Sequence, residues 1–132
     1  MAEPNHDKLI SAVFITFSGN CKKALSFYQS CFGGVLQFET FEKEVQGFND
    51  MPVVSGSLVS DKIIIHGSDL VHNEGRKIGN YISIFLHCKD QAERKALIHK
   101  LEFDQKNFAD QYDDQKLIEL TDGFDVRWVL GV

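Results

Sequence analysis

The stretch from Phe17 to Gly34, FSGNCKKALSFYQSCFGG, constrains the fold more than any other part of the chain. It follows a run rich in β-branched and aromatic residues, which predicts a strand over residues 11–18. Asn20 is a favourable helix N-cap, because its side chain can accept from a free backbone N–H of the first turn. The paired glycines at the end supply the left-handed backbone that often follows a helix. Apolar residues at spacings of three and four predict one buried helical face, made of Ala24, Leu25, Tyr28, Cys31 and Phe32.

Length and charge narrow the class of protein. The 132 residues suit a single domain, 1–132, with a sizeable core. A net charge of −5 disfavours binding to a phosphate backbone, and no apolar run approaches the roughly 20 residues of a membrane span, so we expect neither partner. Three cysteines, an odd number, and a polar N-terminus without the apolar core of a signal peptide indicate the reducing cytoplasm.

The order of elements after this helix shows a pattern that starts twice. The first half predicts strands at 35–45, 53–59 and 63–66, with a loop at 46–52, a hairpin turn at 60–62 and a polar linker at 67–79. The second half predicts a strand at 81–88, a capping-box-like helix start at 90–93, a weak strand at 103–109, a turn at 112–114, and strands at 116–121 and 126–130. The apolar face of the second helix is expected to be Ala96, Leu97, Ile98 and Leu101.

These elements make two βαβββ modules, one over about 10–67 and the other over about 80–131, with a linker at 68–79. The pattern F-x-G-N-C-x-x-A-L-x-F-Y-x-x-C-F-G-G resembles the first helix of the PhnB-like branch of the vicinal oxygen chelate superfamily. That superfamily includes glyoxalase I, bleomycin-resistance proteins and extradiol dioxygenases. Further matching pieces are Met51-Pro52, Gly67-Ser68-Asp69, Tyr81-Ile82-Ser83-Ile84 and a closing Thr121-Asp122-Gly123-Phe124-Asp125-Val126-Arg127-Trp128.

The resemblance implies an α+β fold in which paired βαβββ modules form a cup-shaped mixed β-sheet. It also implies a homodimer and a small molecule bound in the cup. In the metal enzymes of this superfamily, a divalent ion is held by side chains from the first, fourth, fifth and eighth strands. Counting from the matched motifs, those positions in this chain are Val13, Ile65, Ser83 and Val129.

The metal positions lack suitable ligands, because divalent metals prefer imidazole, carboxylate or thiolate donors. Residues 11–18 contain no His, Asp, Glu or Cys, so a one-residue error in the count does not supply a ligand from the first strand. We therefore predict no metal and no other cofactor. His66, at the end of an apolar strand, and Glu119 are the remaining candidates for catalysis, and each has a structural alternative: a hydrogen-bonded histidine and a solvent-facing carboxylate.

Three functions follow from these residues. The first is a metal-free protein that binds a small apolar or aromatic molecule in the cup. The second is a metal-dependent glyoxalase- or dioxygenase-like enzyme with a displaced site at His66 and Glu119. The third is a dimeric structural or interaction protein with a vestigial cavity. For the first function, the predicted ligand-binding residues are Phe14, Phe38, His66, Phe85 and Trp128, although core packing is an equal alternative for the aromatic ones.

Overall fold

A computed structural model describes residues 10–40, 52–69, 79, 81–102 and 115–132. Contacts divide the chain between residues 76 and 77 into two compact units, and in the described residues each unit holds one helix and one mixed sheet. None of the described helices is long and apolar enough to cross a membrane. The elements are β1 (Val13–Phe17), α1 (Cys21–Phe32), β2 (Val35–Thr40), β3 (Val53–Val59), β4 (Ile64–Asp69), β5 (Ile84–His87), α2 (Gln91–Leu101), β6 (Leu117–Thr121) and β7 (Arg127–Gly131).

The predicted element order is confirmed in the first unit, where β1, α1, β2, β3 and β4 follow one another. Its sheet has the order β1-β4-β3-β2, with β1 parallel to β4 and the other neighbours antiparallel. Helix α1 packs on β2, β3 and β4, which covers one face of this sheet. The predicted strand residues 41–45, most of the loop at 46–52 and the linker residues 70–78 lie outside the described residues.

Helix α1 buries the predicted face, because all five apolar residues and also Cys21 are buried. Gly33 and Gly34 have φ angles of 75° and 104°, as expected for glycines that end a helix. At Gly34 a Cβ atom would lie 2.4 Å from the carbonyl oxygen of Val59, so the chain can pass there only with glycine. The local pattern therefore predicted both the covered face and the end of this helix.

The N-terminus of α1 is capped differently from the prediction. The Asn20 side chain makes no capping hydrogen bond and instead accepts from the N–H of Ser18 at 3.3 Å. Asp69, on β4, accepts from the N–H of Cys21 at 2.9 Å and from that of Gly19 at 2.9 Å. The prediction that the Asn20 side chain caps α1 was therefore wrong, because the carboxylate of Asp69 accepts from the N–H groups at the start of the helix.

Asp69 also shows that β4 extends beyond the predicted strand. The linker expected from Gly67 onward was wrong for its first three residues, since β4 runs to Asp69. The second carboxylate oxygen of Asp69 accepts from the N–H of Val53 at 2.8 Å, so one buried side chain joins β4, α1 and the start of β3. Gly67 permits close packing here, because a Cβ atom would lie 3.1 Å from the carbonyl oxygen of Ile15.

The thiol of Cys21 lies beside this carboxylate. Burial and, second, the negative charge of Asp69 raise the pKa of Cys21 from 9.0 to about 12. Cys21, Cys31 and Cys88 are all free and buried. Since the thiolate is the reactive form, Cys21 is expected to be inert toward thiol reagents in the folded protein.

The raised pKa of Cys21 predicts a loss of stability in alkali. The folded state keeps this proton above pH 9.0 whereas the unfolded state releases it, so the stabilising contribution is complete below pH 9.0 and is lost toward pH 12. The free energy of unfolding of the wild type should fall with pH in this window more steeply than that of Cys21→Ala, by up to about 1.4 kcal/mol per pH unit. Urea unfolding at several pH values measures both slopes, with Cys31→Ala as the matched control. Equal slopes for the wild type and Cys21→Ala would contradict the assignment.

The second unit contains β5, α2, β6 and β7, with the sheet order β5-β7-β6. The predicted strand at 103–109 and the turn at 112–114 lie outside the described residues. Asp90 caps α2 by accepting from the N–H of Glu93 at 2.8 Å, as the capping-box pattern predicted. The predicted apolar face is wrong at Ala96, which is exposed. Arg94 is buried instead, and its guanidinium donates to the carbonyl oxygen of Lys116 at 3.1 Å.

The turn between β6 and β7 is organised by the buried carboxylate of Asp122. One of its oxygens accepts from the backbone N–H groups of Phe124 and Val126, at 2.8 and 3.2 Å. The other accepts from the indole N–H of Trp128 at 2.7 Å. Trp128 is 0% exposed, so this bond provides the partner that a buried indole requires.

Candidate functional site

The face of the first sheet opposite α1 carries a row of four side chains, one from each strand. Parallel pairing places Phe14 beside His66, and the antiparallel pairs place His66 beside Ser57 and Ser57 beside Gln37. Phe14 is 64% exposed, and His66 and Gln37 are also exposed. Because neighbouring strands lie about 4.8 Å apart, the row spans about 14 Å. We call this surface, represented by Phe14, His66, Ser57 and Gln37, the open face.

The rest of the open face changes in polarity along the strands. On one side of the row, Ile64, Val59 and Val35 are paired in register and are apolar. On the other side the paired residues are polar: Thr16 with Ser68, and Ser55 with Glu39. The open face thus offers an aromatic ring and an aliphatic edge next to hydrogen-bonding groups.

Two of the expected metal positions do not belong to the open face. Ile65 is fully buried, and Val13 is its register partner, so both lie on the face that α1 covers. On these two strands the residues that share the open face are the next ones along the chain, Phe14 and His66. Successive strand residues point to opposite faces, so an error of one residue reverses the side.

The second sheet has its own exposed face. Phe85, Val129 and Glu119 are paired in register on it, and Phe85 is 56% exposed. Ser83, the third expected metal position, lies just before β5 and is not the register partner of Val129. The carboxylate of Glu119 forms an ion pair with Arg127, one strand away. Glu119 is thus exposed, which matches its structural alternative of a solvent-facing carboxylate, and that carboxylate already has a cationic partner.

The other two predicted ligand-binding residues, Phe38 and Trp128, are not part of the open face. Phe38 packs beside Gly56, since a Cβ atom there would lie 3.1 Å from the Phe38 ring and 3.0 Å from Leu25 of α1. Trp128 is fully buried and donates to Asp122. Phe38 thus lies on the face that α1 covers and Trp128 is buried, whereas Phe14 and His66 share the open face.

Sequence reasoning missed Ser57 and Gln37. A usable signal was present in VVSGSLV, where serines at alternate positions of an apolar strand place hydroxyl groups on one face. Gln37 alternates in the same way between Leu36 and Phe38. What the sequence could not show is that β2, β3, β4 and β1 align these residues with His66 and Phe14 in one row.

A separate cleft lies at the start of α1. Its volume is about 600 Å³, and its lining includes Lys22, Lys23, Ser26 and Asp69. The carboxylate of Asp69 is already engaged by three backbone N–H groups. The described lining holds no aromatic side chain, so this cleft suits an apolar ligand less well than the open face does.

No group of three or more His, Cys, Asp or Glu side chains that could hold a metal ion occurs within the described ranges. His66 belongs to the first unit and Glu119 to the second. Among the described residues, the open face offers stacking, hydrophobic contact and hydrogen bonding, together with the imidazole of His66 and the carboxylate of Glu39.

Two units that each hold one helix and one mixed sheet define the class of protein, and solved structures show this arrangement as a known fold. Protein PA1353 from Pseudomonas aeruginosa is similar with a TM-score of 0.69 at 21% sequence identity, covering 94% of this chain and 97% of that one. The PhnB protein from Bacillus cereus has a TM-score of 0.67 at 17% identity, covering 92% and 97%. The fosfomycin resistance protein FosX from Listeria monocytogenes has a TM-score of 0.52 at 12% identity, covering 93% and 89%.

The chain therefore has the α+β fold of glyoxalase and bleomycin-resistance proteins, and the resemblance found in the sequence is confirmed at the level of the fold. No protein-family profile and no curated protein matches it.

Proposed function

We propose that this chain binds a small apolar or aromatic molecule on the open face and needs no metal ion to do so. The observation that carries the proposal is the pairing of Phe14, 64% exposed, with exposed His66 at the β1 edge of that face. A phenylalanine left in water loses the roughly 1.5–3 kcal/mol that full burial provides, so a ligand that covers it gains favourable free energy. An aromatic ligand also stacks on the ring, which adds about 0.5–1.5 kcal/mol.

The proposal predicts stabilisation by simple aromatic compounds. Three compounds should be tested by thermal shift: indole, naphthalene and 2-naphthol. The buffer should contain a chelator, so that no metal ion contributes to binding. A compound present at 100 times its dissociation constant should add about 2.7 kcal/mol to the free energy of unfolding and raise the Tm by several degrees. Phe14→Ala and His66→Ala should each reduce this shift strongly.

Two exposed residues outside the open face provide matched controls. Lys22→Ala changes the cleft at the start of α1, and His99→Ala removes an exposed histidine of α2. Both variants should keep the full ligand-induced shift. A shift that Lys22→Ala abolishes and Phe14→Ala leaves intact would place the ligand in the cleft and overturn the proposal.

The metal-dependent enzyme remains the alternative, because His66 is exposed on the open face and imidazole is a common metal ligand. Its other candidate, Glu119, is held by Arg127. Elemental analysis of protein purified without chelator separates the two functions. Stoichiometric zinc, nickel, manganese or iron that disappears in His66→Ala would favour the enzyme. The homodimer and the cytoplasmic location expected from the sequence remain predictions, as does the interaction protein with a vestigial cavity.

A further inference from the structure

We infer that Ser57 and Gln37 make the open face selective for neutral aromatic molecules that carry a hydrogen-bonding group, such as a hydroxyl or an amide. The inference rests on the proposed function, because it concerns the ligand of that same face. It names a class of ligand narrower than apolar molecules in general.

The geometry of the row supports this selectivity. Ser57 lies next to His66, and Gln37 lies next to Ser57, so Ser57 is about 10 Å from Phe14 across two strand spacings. A bicyclic ring placed over Phe14 and His66 therefore brings a substituent within reach of Ser57. The Ser57 hydroxyl can donate or accept, and the Gln37 amide does both through separate atoms. Neither side chain hydrogen-bonds to another residue within the described ranges.

A polar side chain next to a bound ligand distinguishes ligands with a hydrogen-bonding group from ligands without one more strongly than an apolar side chain does. If an apolar ligand covers Ser57 and Gln37, it removes water from them and returns no hydrogen bond, which is unfavourable. A ligand with a hydroxyl at that point restores the bond. The difference between two such ligands of equal size is expected to be about fivefold to tenfold in dissociation constant.

The charge of the open face favours a neutral ligand over an anion. Among the described residues of this face, Glu39 is the one acidic side chain. It lies on β2, two positions after Gln37. No lysine or arginine among those residues offsets it. A carboxylate on the ligand would approach a like charge, so the anion should bind less well than the corresponding neutral hydroxyl compound.

Three compounds with the same ring system test the inference: 2-naphthol, 2-methylnaphthalene and 2-naphthoate. Equilibrium dialysis at pH 7 measures their dissociation constants for the wild type, for Ser57→Ala/Gln37→Leu and for Ser26→Ala, an exposed serine of α1. The wild type and Ser26→Ala should bind 2-naphthol about fivefold to tenfold more tightly than 2-methylnaphthalene, with 2-naphthoate weaker than 2-naphthol. The double variant Ser57→Ala/Gln37→Leu should bind 2-naphthol and 2-methylnaphthalene with about equal dissociation constants.

The outcomes separate the inference from the proposed function. Equal binding of 2-naphthol and 2-methylnaphthalene to the wild type, still dependent on Phe14, would overturn the inference and keep the proposed function. Tighter binding of 2-naphthoate than of 2-naphthol would likewise overturn it, as would a hydroxyl preference that Ser57→Ala/Gln37→Leu retains. Binding of none of the three compounds would overturn the proposed function, and the inference with it.

Discussion

Replacing Asp69 with alanine should lower the free energy of unfolding by about 4 kcal/mol. The substitution leaves the N–H groups of Gly19, Cys21 and Val53 without their acceptor at a buried point. Each lost hydrogen bond to a charged group costs about 1.5–3 kcal/mol, and water entering the site offsets part of the sum. Since small domains are stable by only about 5–15 kcal/mol, this is a large fraction of the total. Urea unfolding followed by circular dichroism measures the change.

Two further variants make the result interpretable. Asp61→Ala removes an exposed aspartate from the β3–β4 turn and should change stability by less than about 0.5 kcal/mol. Asp69→Asn keeps the size of the side chain but retains one accepting oxygen, so it should fall between Asp61→Ala and Asp69→Ala. If Asp69→Ala were as stable as Asp61→Ala, the carboxylate would not join α1, β3 and β4 as described.

Asp122→Ala should be about as damaging, with a loss of about 3–4 kcal/mol. The carboxylate accepts from the backbone N–H groups of Phe124 and Val126 and from the indole of Trp128. Trp128 is fully buried, so the substitution removes the acceptor of its N–H at a site shielded from water. Equilibrium unfolding in urea again provides the measurement.

A double-mutant cycle isolates the bond between the indole and the carboxylate. In Trp128→Phe the donor is absent, so adding Asp122→Ala should cost less than in the wild type, by about 1.5–3 kcal/mol. Equal costs in the two backgrounds would show that the backbone bonds alone explain the role of Asp122. Circular dichroism is the suitable probe, because Trp128 is the single tryptophan of the chain and Trp128→Phe therefore has no tryptophan fluorescence.

Features that depend on local spacing could be predicted from the sequence. The buried face of α1 is one example, because it depends on residues three or four apart. The end of α1 is another, because it depends on the backbone conformation of Gly33 and Gly34. The start of α2 at Asp90 follows from the same kind of short-range chemistry. Core packing of Trp128 was one of its two predicted alternatives, and its hydrogen bond to Asp122 was not predicted.

Features that depend on contacts distant in sequence could not be predicted. Asp69 lies 48 residues from Cys21, so nothing near α1 indicates that its cap comes from β4. Arg94 is buried because its guanidinium reaches a carbonyl oxygen 22 residues away, which no helical periodicity reveals. In each case a polar side chain is buried because it hydrogen-bonds to a residue distant in sequence. Asp69 thus takes the capping role predicted for Asn20, and Arg94 the buried position predicted for Ala96.

The candidate site combines both kinds of information. Phe14 and His66 were proposed from residue type and position on their strands, yet the parallel pairing of β1 with β4 is what makes them neighbours. The same pairing turns Val13 and Ile65 toward α1. Counting along a single strand cannot decide which face a residue occupies, because the answer changes with every residue.

Ring resonances in the NMR spectrum test most directly whether an aromatic ligand lies on the open face against Phe14 and His66. Histidine ring signals should be recorded with and without saturating 2-naphthol and assigned with the His66→Ala and His99→Ala variants. The ring current of a stacked ligand should shift the His66 signals and leave those of His99 unchanged, and nuclear Overhauser effects should connect 2-naphthol to the Phe14 ring. Unchanged His66 signals in a sample where 2-naphthol is bound would contradict the account.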